Sequence, residues 1–332
     1  ENFDKFNIPV IIIAILHLLF YPLYINFYTG SSVLNIVSSL KDGISTYALY
    51  QSNFENSNLG QLSLSKLPFI LGHGILRFFF LISIFKIIVF NKIISIHESF
   101  CIFLMVFMIV FVGISRGTSF ELFEITLVIL FSFATRRILR GNKKIFSKKS
   151  LIRIILLVLL VSSYFAYNIT VRMGENFSFF ESQDFDKTSI IYKISKPLSL
   201  VLYSLYGYFL FGLHFNSVVI SKLFLTSLDG FFSSLIPNGV SILSIETDFR
   251  TYVNKFIDVG VMWHPDSIVY IQNLGFFFTF FIIYLLGFFS KYLFSLISNN
   301  LSALVLLYFI FFLFISMPVG NFITNSSANQ IS

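Results

Sequence analysis

Arg116 stands in Gly113-Ile114-Ser115-Arg116-Gly117, between two apolar runs joined by almost no loop. A guanidinium fork at such a turn matches phosphate oxygens bidentately and stays charged in a partly dry site. Gly117 beside it would let a phosphate approach closely. The same residue also reads as a snorkelling arginine at a helix end, paired with Glu121 or Glu124. Arg172, in Val171-Arg172-Met173-Gly174, begins the stretch after another apolar run and poses the same choice. Two arginines at one membrane level make a better anion site than either alone. Arg77 lies near the middle of an apolar run, with His73 one helical turn earlier on the same face. A central arginine costs about 2.5–3.5 kcal/mol on the lenient insertion scale, so it needs an internal cavity or an ion-pair partner. His17, alone in the first apolar run, reads as a packing hydrogen bonder rather than a catalyst.

A second group of candidates follows residue 170, where nine of the 16 acidic residues fall before residue 268. Glu246 and Arg250 lead to Asp258, then to Trp263-His264-Pro265-Asp266, then to Gly275 inside the next apolar run. His264 offers an imidazole that can accept a hydroxyl proton near neutral pH. Its bland counterpart is a loop histidine stabilising the turn before Pro265. The sequence contains no paired-cysteine metal motif, phosphate-binding glycine loop, nucleophile elbow or His-Glu-x-x-His. Neither a cofactor nor a metal is therefore expected. Cys101, the one cysteine, excludes an intrachain disulfide and a thiolate cluster.

The elements that must position these residues are membrane helices. A hydrophobic fraction of 56% and only 12% charged residues, with mean hydropathy +0.84, fall far from the roughly 25% charged residues of soluble domains. Apolar runs of bilayer-crossing length recur, so an all-α integral membrane protein is expected, a polytopic helical bundle forming a single membrane domain. Seven spans are read, at 8–28, 67–90, 97–115, 118–136, 151–169, 268–290 and 300–318. Eight lysines and arginines crowd the interval from Arg136 to Arg153, and no acidic residue lies between Glu124 and Glu175. Such a basic knot marks a cytoplasmic loop. Span parity then puts residues 29–66, the Arg116 turn and a large loop over 170–267 on the extracytoplasmic side.

Residues 29–66 carry short amphipathic pieces such as Val33–Leu40 and are expected at the membrane surface. Leu198–Leu225 is apolar enough to span but holds His214 and Lys222; it reads as a membrane-skimming or hairpin element within the large loop. Tyr203, Tyr206 and Tyr208 suit an interface. In a background lacking Cys101, Gly174→Cys and His264→Cys are expected to react with impermeant thiol reagents in intact cells. Reaction of His264→Cys only after permeabilisation would make Leu198–Leu225 a span. The +7 formal charge gathers in the basic knot and does not indicate nucleic acid. The wealth of Phe, Ile and Asn suits an AT-rich bacterial gene.

Four stretches, taken in order and sidedness, resemble the O-antigen polymerases, the Wzy-type polymerases of oligosaccharide repeat units. They are Ser115-Arg116-Gly117 before an apolar span, Arg172 after the span that follows the basic loop, Tyr203-Ser204-Leu205-Tyr206-Gly207, and Arg250 through Gly275. The portion from His264 to Gly275 also resembles the related O-antigen ligases. The resemblance covers about residues 95–290. The family normally has more spans, and the chain opens at Glu1 rather than Met, which is consistent with missing N-terminal helices. A histidine at the place of His264 is not a general polymerase feature.

The resemblance implies a glycosyltransferase-C-like fold and a membrane glycosyltransferase of lipopolysaccharide and polysaccharide biosynthesis, in the bacterial inner membrane with its active site facing the periplasm. Its substrates would be undecaprenyl-diphosphate-linked oligosaccharides amid membrane lipids, with a chain-length regulator as a further partner. A glycan would pass from the polyprenyl diphosphate to the sugar end of another lipid-linked unit. Arg116 and Arg172, helped by Arg77 or Arg250, would hold the diphosphate; His264, then Asp258 or Glu246, would take the acceptor proton. An O-antigen ligase is the near alternative. A lipid-linked oligosaccharide flippase or transporter is the alternative of another class, disfavoured by the gathering of polar candidates on the outer side and by the lack of an internal repeat. A membrane O-acyltransferase would want a more prominent intramembrane histidine with an acidic partner.

Overall fold

A computed structural model describes residues 9–56, 64–90, 95–118, 120–141, 148–173, 186–196, 198, 199, 202, 203, 266–298 and 300–316. Every regular element among them is helical. In chain order they are α1 (Val10–Thr29), a 3-10 turn (Val33–Asn35), α2 (Ile36–Lys41), α3 (Gly43–Asn56), α4 (Leu67–Ile88), α5 (Ile96–Arg116), α6 (Phe120–Leu139), α7 (Lys148–Met173), α8 (Ile190–Ile194), α9 (Asp266–Leu296) and α10 (Leu301–Ser316). Among the described residues four stretches are long and apolar enough to cross a membrane: α1, α4, α5 and Phe278–Leu296 within α9. At 1.5 Å per residue a 20-residue helix is about 30 Å long, the thickness of the hydrocarbon core.

The way α1 is buried explains its sequence. Its inward stripe contains Ile13, Ala14, His17, Tyr21, Ile25 and Thr29, recurring at the three- and four-residue spacing of one helix face. The opposite face exposes Ile11, Ile12, Ile15, Leu16, Leu19 and Leu23. The stripe turned inward therefore carries polar groups, and the exposed face is aliphatic from Ile11 to Leu23, turning polar only at Asn26 near the end of the helix. A soluble helix has the reverse arrangement; a helix surrounded by lipid has this one. Gly30 closes α1 in the left-handed conformation at φ 67°, which suits glycine because it has no Cβ.

The chain divides into two compact units. One contains α1 to α3, α4 from Leu76 onward, and α5 to α8; the other contains the start of α4 together with α9 and α10. In the first, α1 packs along α5, α5 on α6 and α6 on α7, while α3 rests on α1, α5 and α7. Phe85 of α4 meets Phe131 of α6 with ring centroids 5.9 Å apart. Tyr21, Leu81, Phe85, Met105 and Val128 are fully enclosed. Between membrane helices, close packing and interhelical hydrogen bonds supply the cohesion, because lipid is as apolar as the side chains it replaces. In the second unit α9 packs on α10, with Leu293, Ile297, Leu304, Tyr308 and Phe312 buried.

Each of the seven apolar runs coincides with a helix. The segment after α1 forms the 3-10 turn, α2 and α3, as its amphipathic pieces suggest. One boundary differs in a way that matters: α7 continues to Met173, so Arg172 belongs to its last turn rather than to the loop beyond. Apart from residues 170–173, 186–196, 198, 199, 202, 203, 266 and 267, the proposed large loop, with most of Leu198–Leu225, lies outside the described residues.

Candidate anion site at the turn between α5 and α6

The turn is built by local signals. α5 begins with a reciprocal capping box, in which Ser95 accepts from the Glu98 amide and Glu98 accepts from the Ser95 amide. It ends at Gly117, left-handed at φ 62°. The Gly117 amide donates to the Ile114 carbonyl at 3.0 Å and the Thr118 amide to the Gly113 carbonyl at 2.8 Å. These bonds occupy carbonyls that a helix end leaves unsatisfied. Gly117 is thus required by the backbone turn, a different reason from the close phosphate approach that its position suggests in sequence. Arg116 closes α5 and Glu121 sits in the first turn of α6, each at the helix end whose dipole favours its charge.

These two side chains meet. Arg116 Nη1 donates to Glu121 Oε1 at 2.8 Å, with the arginine side chain 31% exposed and the glutamate 8%. Nη2 donates to the Tyr50 hydroxyl at 3.2 Å, and the guanidinium carbon lies 5.0 Å from the centroid of that ring. The pairing with Glu121 named from sequence is therefore present, yet these bonds engage only part of a fork with five N–H donors. Tyr50 is delivered by α3, whose Asn53 Nδ2 donates to the Phe27 carbonyl near the end of α1 at 3.1 Å. Tyr24 and Tyr28 of α1, ring centroids 4.6 Å apart, lie within electrostatic reach of Arg116. The result is a partly open guanidinium flanked by a carboxylate and by tyrosines from two other helices.

Deeper in the same unit Arg77 of α4 pairs with Glu124 of α6, the two side chains 6% and 12% exposed. Glu121 and Glu124, three residues apart on one helix, thus serve two different arginines. Tyr21 lies within electrostatic reach of both members of the deep pair. His17 packs on Tyr21 with ring centroids 5.3 Å apart. Its Nδ1 is 2.8 Å from the Ile13 carbonyl, which can only accept, so that nitrogen carries the proton. Nε2 is buried with no hydrogen-bond partner among the described residues. His17 is buried on the inward face of α1 and hydrogen-bonds within its own helix.

Of the residues singled out in the sequence, the structure places Arg116 at the turn and Arg77 in the buried pair; Arg172 is on α7. Arg250, Glu246, Asp258 and His264 lie outside the described residues. Three participants escaped the sequence reading. Tyr50 gave no signal, being one of 16 tyrosines. Thr118 donates to Glu121 Oε2 at 3.1 Å. At Gly113 a Cβ atom would lie 2.6 Å from that same oxygen, so the glycine leaves the room in which the carboxylate sits. Its place one turn before Arg116 was the available clue. Among the described residues no three His, Cys, Asp or Glu side chains gather as a metal ion would require. No protein-family model, curated protein or solved structure matches the chain.

Proposed function

We propose that this chain is a membrane glycosyltransferase that polymerises lipid-linked oligosaccharide repeat units, with Arg116 among its diphosphate ligands. The observation that carries the reading is Arg116, whose side chain is about one third exposed while its guanidinium is held by Glu121 and Tyr50 through only part of its fork. Breaking an anomeric carbon–phosphate bond leaves a diphosphate whose growing negative charge a preorganised cation stabilises. The polyprenyl diphosphate is an activated donor, so the reaction needs no nucleotide. Charge supports the orientation: the basic stretch begins with Arg136 and Arg137 in the last turn of α6, at the opposite end of that helix from the turn that carries Arg116. In this reading the turn faces the periplasm, the side to which the sequence also assigns Arg172, Arg250 and His264.

The test compares Arg116→Lys and Arg172→Lys with the alanine variants at matched membrane expression. Lysine keeps an anchoring charge but loses the bidentate fork. Each lysine variant is expected to lower long-chain glycan production roughly 10- to 100-fold, the value of one or two charge-assisted hydrogen bonds. Wild-type chain length in all four variants would mean that both arginines merely anchor helix ends.

One observation favours transport as a second reading. The Arg77–Glu124 pair and His17 place ionisable groups deep among α1, α4 and α6, and intramembrane charges commonly mark translocation paths. An apolar replacement of that pair would then abolish translocation, whereas a polymerase whose chemistry sits at the α5–α6 turn would keep its activity.

A further inference from the structure

We propose that Glu121 is the resident anion of the Arg116 site and sets its affinity, an incoming diphosphate taking its place on the guanidinium. The inference rests on the reading of Arg116 as a diphosphate ligand. Glu121 Oε1 occupies Nη1 of Arg116, an N–H position that a phosphate oxygen would need. Its other oxygen accepts from Thr118, so the carboxylate is seated from two sides. Gly113 completes the seat, because the space a Cβ would fill is taken by Glu121 Oε2 at 2.6 Å. Gly113, Arg116, Thr118 and Glu121 therefore act together: helix end, cation, hydroxyl clamp and internal counter-ion.

The consequence follows from charge. A guanidinium already paired with a carboxylate presents little net charge to a passing anion, so only a ligand able to compete for the fork displaces the glutamate. A diphosphate, with several oxygens and more than one negative charge, competes; a chloride or a lone carboxylate does not gain from the exchange. After exchange Thr118 still holds Glu121 Oε2, so the glutamate keeps one partner while the fork is occupied. The pair thus confers selectivity for multiply charged headgroups and keeps the arginine ordered between turnovers.

Binding to the purified full chain in detergent micelles tests this by calorimetry, with inorganic pyrophosphate as probe and farnesyl diphosphate as the lipid-linked counterpart. Glu121→Gln keeps the shape and an acceptor for Nη1 but removes the competing charge. It is expected to bind pyrophosphate about five- to tenfold more tightly, the difference between a charged and a neutral hydrogen-bond partner. Gly113→Ala changes no charge and expels the carboxylate sterically, and should tighten binding in the same direction. Alanine is the better helix former, which supports α5 in that variant. Arg116→Ala should abolish binding in every background. Equal or weaker binding by Glu121→Gln and Gly113→Ala, with binding still lost in Arg116→Ala, overturns the inference alone. Equal binding by wild type and Arg116→Ala, or no binding by any protein, overturns the diphosphate reading with it. Tighter binding of farnesyl diphosphate than of pyrophosphate assigns a lipid-linked ligand, and equal affinity assigns a free diphosphate.

Discussion

Arg77→Ala is expected to destabilise the folded protein by about 3–5 kcal/mol, the cost of stranding one member of a buried ion pair. Glu124 would be left with its side chain only 12% exposed and no arginine beside it. The gain from making such a pair is small, because desolvation of both groups offsets most of their attraction. Breaking it is costly, because the remaining charge stays desolvated. Arg77→Leu combined with Glu124→Leu should therefore recover most of what either single substitution loses. Unfolding in mixed micelles measures both, and the cycle of single and double variants isolates the coupling. Loss of less than about 1 kcal/mol in Arg77→Ala would place the pair in the range of exposed salt bridges and refute the buried assignment. The double variant also separates the two functional readings, since glycan polymerisation survives it only if the pair is structural.

Much of this architecture is legible in the sequence, because the bilayer restricts the choices. Runs such as Val10–Thr29 and Ile96–Arg116 have one stable form in hydrocarbon, a helix that satisfies its own backbone. The positions of Arg77 and Arg116 were equally visible, since a charge inside or at the edge of an apolar run stands out. The partners were less so. That Glu121 faces Arg116 while Glu124 faces Arg77 depends on the rotation of α6 about its axis and on the depth of α4 beside it. Neither is encoded in local spacing; Arg77 and Glu124 are 47 positions apart. Tyr50 was hidden for the same reason, because its place follows from how α3 docks on the end of α1 through Asn53. Gly113 shows the reverse case. Its spacing from Arg116 was plain, but its purpose depends on a carboxylate from the next helix.

The two arginine–glutamate pairs differ in the one respect that separates a scaffold from a site. Arg77–Glu124 is enclosed on both sides, with Tyr21 close by. Arg116–Glu121 is enclosed on the glutamate side only, the arginine side chain keeping about a third of its surface exposed. The depth of each explains the difference. A charge in mid-membrane must be neutralised permanently, whereas one at the helix end can exchange partners with groups in the headgroup layer. Substitutions at Arg77 should consequently act on folding, and substitutions at Arg116 on anion binding with the fold retained.

His264→Ala is expected to slow turnover of purified lipid-linked repeat units by 10²–10⁴-fold, the usual cost of removing a general base. The motivation is chemical: in the proposed reaction the acceptor hydroxyl would lose a proton as it attacks the anomeric carbon, and imidazole accepts one near neutral pH. Arg116 and Arg172 cannot do so, since guanidinium stays protonated at any working pH. A cationic diphosphate site therefore needs a separate base, and the stretch from Glu246 to Asp266 supplies the titratable side chains nearest in sequence to α9. Slow residual polymerisation is expected rather than a null, because the arginines would still stabilise the departing diphosphate. The variant that isolates the proton is His264→Gln, similar in reach and able to hydrogen-bond but not to titrate near neutrality. Measured across pH, wild type should show an acidic limb set by the imidazole, and His264→Gln should lack that limb. Wild-type turnover with an unchanged pH profile in either variant would make His264 a turn-stabilising residue before Pro265. The base would then be sought by the same measurement at Asp258 and Glu246, whose carboxylates would shift the limb to lower pH.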